Sequence, residues 1–172
     1  NNNNKYNNNN GASASKKPKL FAEGKGNLLA KTRSEKEDKT SEFIEINWNK
    51  EMVYNGSNRI ANFYEMVKVT KGEEKSDSDR LDVYFDDQDK IKKTTAVGNV
   101  YIASPDLDNT EGLGTLLEWD LTEDLAVLTG NPLAELRRSG ARTFSKKIYF
   151  DINSKRVHWE GRPHWKIFGA LK

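Results

Sequence analysis

His158 and His164 are the only imidazoles in the chain, and there is no cysteine. Structural zinc takes four such ligands, and a catalytic site takes three protein ligands beside an open position. Two histidines six residues apart fall short of either, so a structural or surface role is expected for both and no metal is assigned. The missing cysteines also exclude disulfides, iron–sulfur clusters and thiolate nucleophiles. The carboxylates Asp77, Asp79, Asp82, Asp86, Asp87 and Asp89 are dense enough to suggest calcium. They lack the glycine and the terminal glutamate of an EF-hand loop, and strand alternation scatters them. A glycosidase pair could be formed by carboxylates on any two strands, but nothing in the sequence selects one. Gly24-Lys25-Gly26 and Gly112-Leu113-Gly114 match neither a dinucleotide-binding turn nor a P-loop, and no nucleophile-elbow sequence occurs. The expectation is a protein that is not an enzyme and uses no cofactor.

Charge points the same way. Lys and Arg number 28 against 26 Asp and Glu, a net +2 over 172 residues, which argues against a nucleic-acid partner. From Arg142 onward eight basic residues face only Asp151 and Glu160. Of these, Lys146, Lys147, Lys155, Arg156, Arg162 and Lys166 are candidates for meeting headgroup phosphates; the competing reading is a solvated face or an edge guarded by lysines. No apolar run is long enough for a membrane-spanning helix, and no stretch reads as a secretion signal, so a processed or excised chain is expected. Residues 1–19, with NNNNKYNNNN and a Lys-rich end, are expected to be disordered, the alternative being a weak contact of Lys16, Lys17 and Lys19 with anionic lipid. Residues 20–172 are then a single domain.

What must position any site here is β-structure. Apolar residues recur two apart: Ile44, Ile46 and Trp48; Met52 and Tyr54; Val67 and Val69; Leu81, Val83 and Phe85; Val100 and Ile102; Leu117 and Trp119; Ile148 and Phe150; Trp165 and Ile167. Period two buries one face of a strand, and with Phe63 these positions are candidates for an inward face. Trp48, Trp119 and Phe150 share one position in the pattern. Strands are expected near 43–48, 50–55, 59–70, 79–86, 91–103, 115–121, 124–129, 133–138, 145–151, 155–160 and 164–168. Residues 33–42 read as a solvated loop and 132–138 as non-helical.

The pattern repeats. Asn55, Asp86, Asp120 and Asp151 each close a strand, at intervals of 31, 34 and 31 residues. Gly98-Asn99-Val100, Gly130-Asn131-Pro132 and Gly161-Arg162-Pro163 follow ten to twelve residues later, while Glu65-Met66-Val67 holds that place after Asn55. Asp and Asn suit turns because their side chains bond nearby backbone, and Asn55-Gly56 is a favoured turn dipeptide. Glycine at the second landmark permits a kink or bulge that curves the sheet. A further Gly26-Asn27-Leu28 without a preceding half suggests a start inside a repeat, with an exposed edge near residues 20–31. A hairpin repeat of this kind buries its apolar face only by stacking.

The segments Ser78–Asp86 leading to Ala96–Ile102, and Glu118-Trp119-Asp120 leading to Leu128–Pro132, resemble the OstA/LptA-type lipopolysaccharide-transport family over roughly residues 43–163. The resemblance implies an all-β fold, an open β-jellyroll or β-taco of antiparallel strands built from hairpin repeats. It implies periplasmic work on lipopolysaccharide or a related glycolipid, en route to the outer membrane, with similar domains joined end to end; the exposed edge near residues 20–31 adds the expectation of weak, concentration-dependent self-association. The inward residues would then line a lipid groove rather than fill a sandwich core; alternation alone does not separate the two. Burial is worth about 0.8 kcal/mol per methylene, so a twelve-carbon chain would contribute on the order of 9 kcal/mol before ordering costs. The competing classes are a structural β-solenoid scaffold with a closed core and a carbohydrate-active or sugar-binding β-sandwich.

Overall fold

The computed structural model describes residues 19–32, 43–160 and, as backbone, 164–167. The expected disordered start up to residue 18, the loop 33–42 and the landmark Gly161-Arg162-Pro163 lie outside the described residues. The chain is all-β. Its strands are β1 (Lys19–Glu23), β2 (Gly26–Lys31), β3 (Phe43–Trp48), β4 (Glu51–Asn55), β5 (Ile60–Lys71), β6 (Glu74–Phe85), β7 (Ile91–Ser104), β8 (Thr110–Asp120), β9 (Leu125–Arg138), β10 (Ala141–Asp151), β11 (Arg156–Trp159) and β12 (His164–Ile167). A short 3-10 turn, Pro105–Leu107, precedes β8.

All strand pairs are antiparallel. The long strands β5 to β10 pair in sequence, while short strands finish each end: β1 on β4 and β2 on β3 at one end, β11 and β12 on β10 at the other. Register shifts interrupt every long pairing at Tyr64/Val67, Asp77/Arg80, Val97/Val100, Leu113/Leu116 and Ser145/Lys147. Partner by partner these bulges form one line across the sheet. Glu65 and Met66 (φ 67° and 48°) and Gly98 and Asn99 (φ 76° and 43°) are left-handed on it. The line divides the sheet into two halves that fold face to face, and the breaks β1/β2, β3/β4 and β11/β12 continue it.

Each half presents a ladder of inward residues. Across one half, Leu20, Tyr54, Ala61, Val83, Thr94, Trp119, Ala126, Phe150 and Val157 are successive partners. Small Thr94 and Ala126 flank Trp119, which leaves room for the indole. Across the other half the partners are Leu28, Ile46, Val69, Ser76, Ile102, Gly112 and Leu136. A side chain at Gly112 would start 2.7 Å from Leu128, 2.8 Å from Ile102 and 3.0 Å from Phe150, so Leu128 and Phe150 of the facing half pack directly over the glycine, in the close-packed manner of protein interiors.

Several expected boundaries are corrected. β9 is one continuous strand through Gly130-Asn131-Pro132, not separate strands over 124–129 and 133–138, because the landmark bends the strand without ending its pairing. β6, β8 and β10 begin five, five and four residues earlier than expected, where the buried side chains Glu74, Ser76, Ser78, Thr110 and Thr143 are polar. β1 and β2 were absent from the expected strands. At Asn55-Gly56 the left-handed residue is Arg59 (φ 54°) and not the glycine.

Candidate functional site

The turns fall into two rows, one along each lip of the folded sheet. The first row holds residues 56–59, 86–90, 121–124 and 152–155, between β4/β5, β6/β7, β8/β9 and β10/β11. In it the landmark carboxylates and amides accept backbone N–H donors. Asn55 Oδ1 accepts from Ser57 N at 3.0 Å, Asp86 Oδ1 from Gln88 N at 2.8 Å and Lys90 N at 2.9 Å. Asp120 Oδ1 accepts from Thr122 N at 2.9 Å and the Thr122 hydroxyl at 2.6 Å, and Asp151 Oδ1 from Ser154 N at 2.9 Å. Burial works to raise the Asp120 pKa, but the Thr122 and Glu123 hydrogen bonds outweigh it and hold the carboxyl below its ordinary value. Bonds from the Ser154 side chain and backbone lower that of Asp151. Adjacent turns are stitched by Phe85 N to Arg59 O at 3.0 Å, Leu121 N to Lys92 O at 2.9 Å and Ile152 N to Asp124 O at 3.0 Å.

The opposite row includes Thr32, after β2, and the turns that join β5/β6, β7/β8 and β9/β10. Among the described residues, a backbone bridge and two ion pairs reach across from it to the first row. Thr32 forms a parallel bridge to Ile91. Lys71 is ion-paired with Asp124, both buried, and its Nζ lies 5.6 Å over the Trp119 ring. Lys155 Nζ lies 3.7 Å from Asp106. Around the last two a polar cavity of about 460 Å³ is lined by Lys71, Gly72, Glu73, Glu74, Asp106, Asp124, Ile152, Asn153 and Lys155. Glu74 is buried there. Desolvation raises its pKa against a 2.8 Å hydrogen bond that Oε1 accepts from the Ser104 hydroxyl, and its Oε2 has no hydrogen-bond partner among the described residues. Sequence reading did not single out Lys71, Glu74, Asp106 or Asp124 as a group; no local pattern marks residues brought together across two lips.

Of the inward candidates, Ile44, Ile46, Trp48, Phe63, Val67, Val69, Leu81, Val83, Val100, Ile102, Leu117, Trp119, Ile148 and Phe150 are buried in one cluster, with Met52, Tyr54 and Phe85 packed against it. Trp165 and Ile167 lie on β12, opposite Thr143 and Ala141. The middle of the interior is filled: Phe63, Ile148 and Phe150 are 0 % exposed and Trp119 is 1 % exposed. Apolar space opens at the ends. A cavity of about 370 Å³ beside β1 and β2 is lined by Leu20, Leu28, Met52, Tyr54, Ala61, Phe63, Phe85 and Asp89. A second, of about 220 Å³, lies beside β11 among Leu136, Arg138, Ser139, Ala141, Thr143, Val157 and Trp159. The Trp48 and Trp119 indole N–H groups are buried without a hydrogen-bond partner among the described residues.

The basic candidates do not form one rim. Lys146 and Lys147 sit at the bulge line, on the spine of the fold, and Lys147 Nζ is 3.9 Å from Glu160. Lys155 is on a lip, Arg156 begins β11 opposite Asp151, Lys166 is on β12, and Arg162 lies outside the described residues. The acidic string is likewise dispersed. Asp79 accepts from Asn99 and Asp82 from Asn62 and Arg80, Asp86 shapes its turn, and Asp87 and Asp89 lie near Arg59. No group of ligands suited to a metal occurs among the described residues. His158 stacks on Tyr149 at 4.8 Å, on a different strand from His164. No helix among the described residues is long and apolar enough to cross a membrane.

Residues 48–156 match the family model described as LptA/(LptD N-terminal domain) LPS transport protein. The fold is similar to the crystal structure of LptH from Pseudomonas aeruginosa, the LptA homologous periplasmic component of its lipopolysaccharide transport device. The TM-score is 0.63 at 20 % identity, over 73 % of this chain and 95 % of that one. No curated protein matches the sequence.

Proposed function

The chain belongs to the LptA/LptD N-terminal-domain family of lipopolysaccharide-transport proteins, and on that premise we propose that it carries lipopolysaccharide or a related glycolipid through the periplasm with the acyl chains between its two half-sheets. It acts by binding, without catalysis. The observation that carries the reading is the apolar interior that runs the length of the folded sheet and opens at the β1/β2 end into the 370 Å³ cavity. At roughly 30 Å³ per water-sized group, that space takes on the order of a dozen such groups. The two unpartnered indole N–H groups also support it, since acyl-linkage carbonyls would satisfy donors that a finished core would not leave bare.

The filled middle favours the competing reading, a closed scaffold. A photo-crosslinking residue separates the two when placed at Tyr54, in the mouth, or at Glu118, which is outward on β8. With rough-type lipopolysaccharide, adducts are expected at Tyr54 and not at Glu118. No adduct at either position, together with no lipid on the purified protein by mass spectrometry, overturns the carrier reading in favour of the scaffold.

A further inference from the structure

The three cross-lip contacts are regular. Each ties a turn of one row to the turn one repeat further along the other: Thr32 to Ile91, Lys71 to Asp124, Asp106 to Lys155. We propose that these rungs are the gates of the carrier, and that a glycolipid advances along the interior by parting and re-forming them one at a time. The proposal rests on the reading that acyl chains occupy the interior. A saccharide headgroup buried among apolar side chains would lose its hydrogen bonds to water, so it stays outside while the tails lie inside. The linkage between them then crosses the seam, and any movement along the interior takes it through each rung in turn.

The rungs are unequal. Asp106 and Lys155 are 52 % and 63 % exposed, and a pair this wet holds weakly. Lys71 and Asp124 are buried, with Lys71 capped by Trp119; parting a buried pair costs more than parting an exposed one. The middle rung is therefore the slow gate. A free fatty acid, whose small head can remain at the β1/β2 mouth, needs none of them.

The absence of native cysteine allows each gate to be locked selectively. Lys71→Cys/Asp124→Cys joined by a short bismaleimide locks the middle rung. Asp106→Cys/Lys155→Cys locks an exposed one, where substitution spares the core. Uptake is followed with rough-type lipopolysaccharide and with a dansyl-labelled fatty acid. Each locked protein is expected to take up the fatty acid as its unlinked form does, and lipopolysaccharide about tenfold more slowly or worse. Equal lipopolysaccharide uptake by linked and unlinked proteins overturns the gates, as does loss of both probes on linking. If the natural chain takes up neither probe, the carrier reading itself fails.

Discussion

Asp120 shows how much one side chain holds in a repeat. Its Oδ1 receives the Thr122 hydroxyl and the N–H groups of Thr122 and Glu123, which fixes the turn that carries Asp124 to Lys71. Hydrogen bonds to a charged group are worth roughly 1.5–3 kcal/mol, so Asp120→Ala should lower unfolding free energy by about that much at neutral pH. The lowered pKa sets the pH dependence. A carboxyl depressed on folding stabilises above its unfolded pKa, about 4, and that stability is lost as pH falls through the folded value. Denaturant titrations should therefore show the gap between Asp120→Ala and the natural chain closing below about pH 4. A gap that stays constant down to pH 2 would mean the carboxylate charge is not what holds the turn.

At the scale of elements, the bulge line decides the architecture, and it is least well served at Glu65-Met66. Both residues are left-handed without being glycine or asparagine, which costs roughly 1–2 kcal/mol per residue relative to a permissive one. Glu65→Gly/Met66→Asn, copying Gly98-Asn99, should raise the thermal midpoint, by about 1 kcal/mol or more in stability after the Asn49 Nδ2–Met66 Sδ contact of 3.2 Å is lost. A lower midpoint would show that the side chains matter more than the backbone there. This line was legible because glycine and asparagine mark it at 98–99 and 130–131, and the turns because Asp and Asn mark them. The missed half-strands were illegible for physical reasons. Glu74, Ser76 and Ser78 are polar yet buried, which inverts the signal that period two depends on. In β1 and β2, Phe21 and Leu29 are 63 % and 61 % exposed on the outward face, next to inward Leu20 and Leu28, so apolar residues occur on both faces and the sequence shows no alternation. Fourteen of the inward candidates could be read as buried, but the lip contacts join residues 53 apart in the case of Lys71 and Asp124, and no spacing rule reaches that far.

Among the described residues the sheet is bounded by strands with one free side: β1 and β2 at one end, β11 and β12 at the other, each paired on a single edge. Such edges accept strands from another chain, and pairing opposite ends is head-to-tail, which need not close. Association that grows with concentration is the expected behaviour, with the apolar mouths of neighbours aligned. Light scattering over a hundredfold dilution should show the mass falling toward that of a single chain; a constant single-chain mass throughout would exclude it. The continuity of the bulge line has a consequence for how such a molecule can change in size. Every repeat enters as two kinked strands, and strands sit about 4.7–4.9 Å apart, so gaining or losing a repeat alters the reach by roughly 9–10 Å while leaving the cross-section as it was. Length is thereby a whole-number quantity, set by duplication in the gene and independent of the bore.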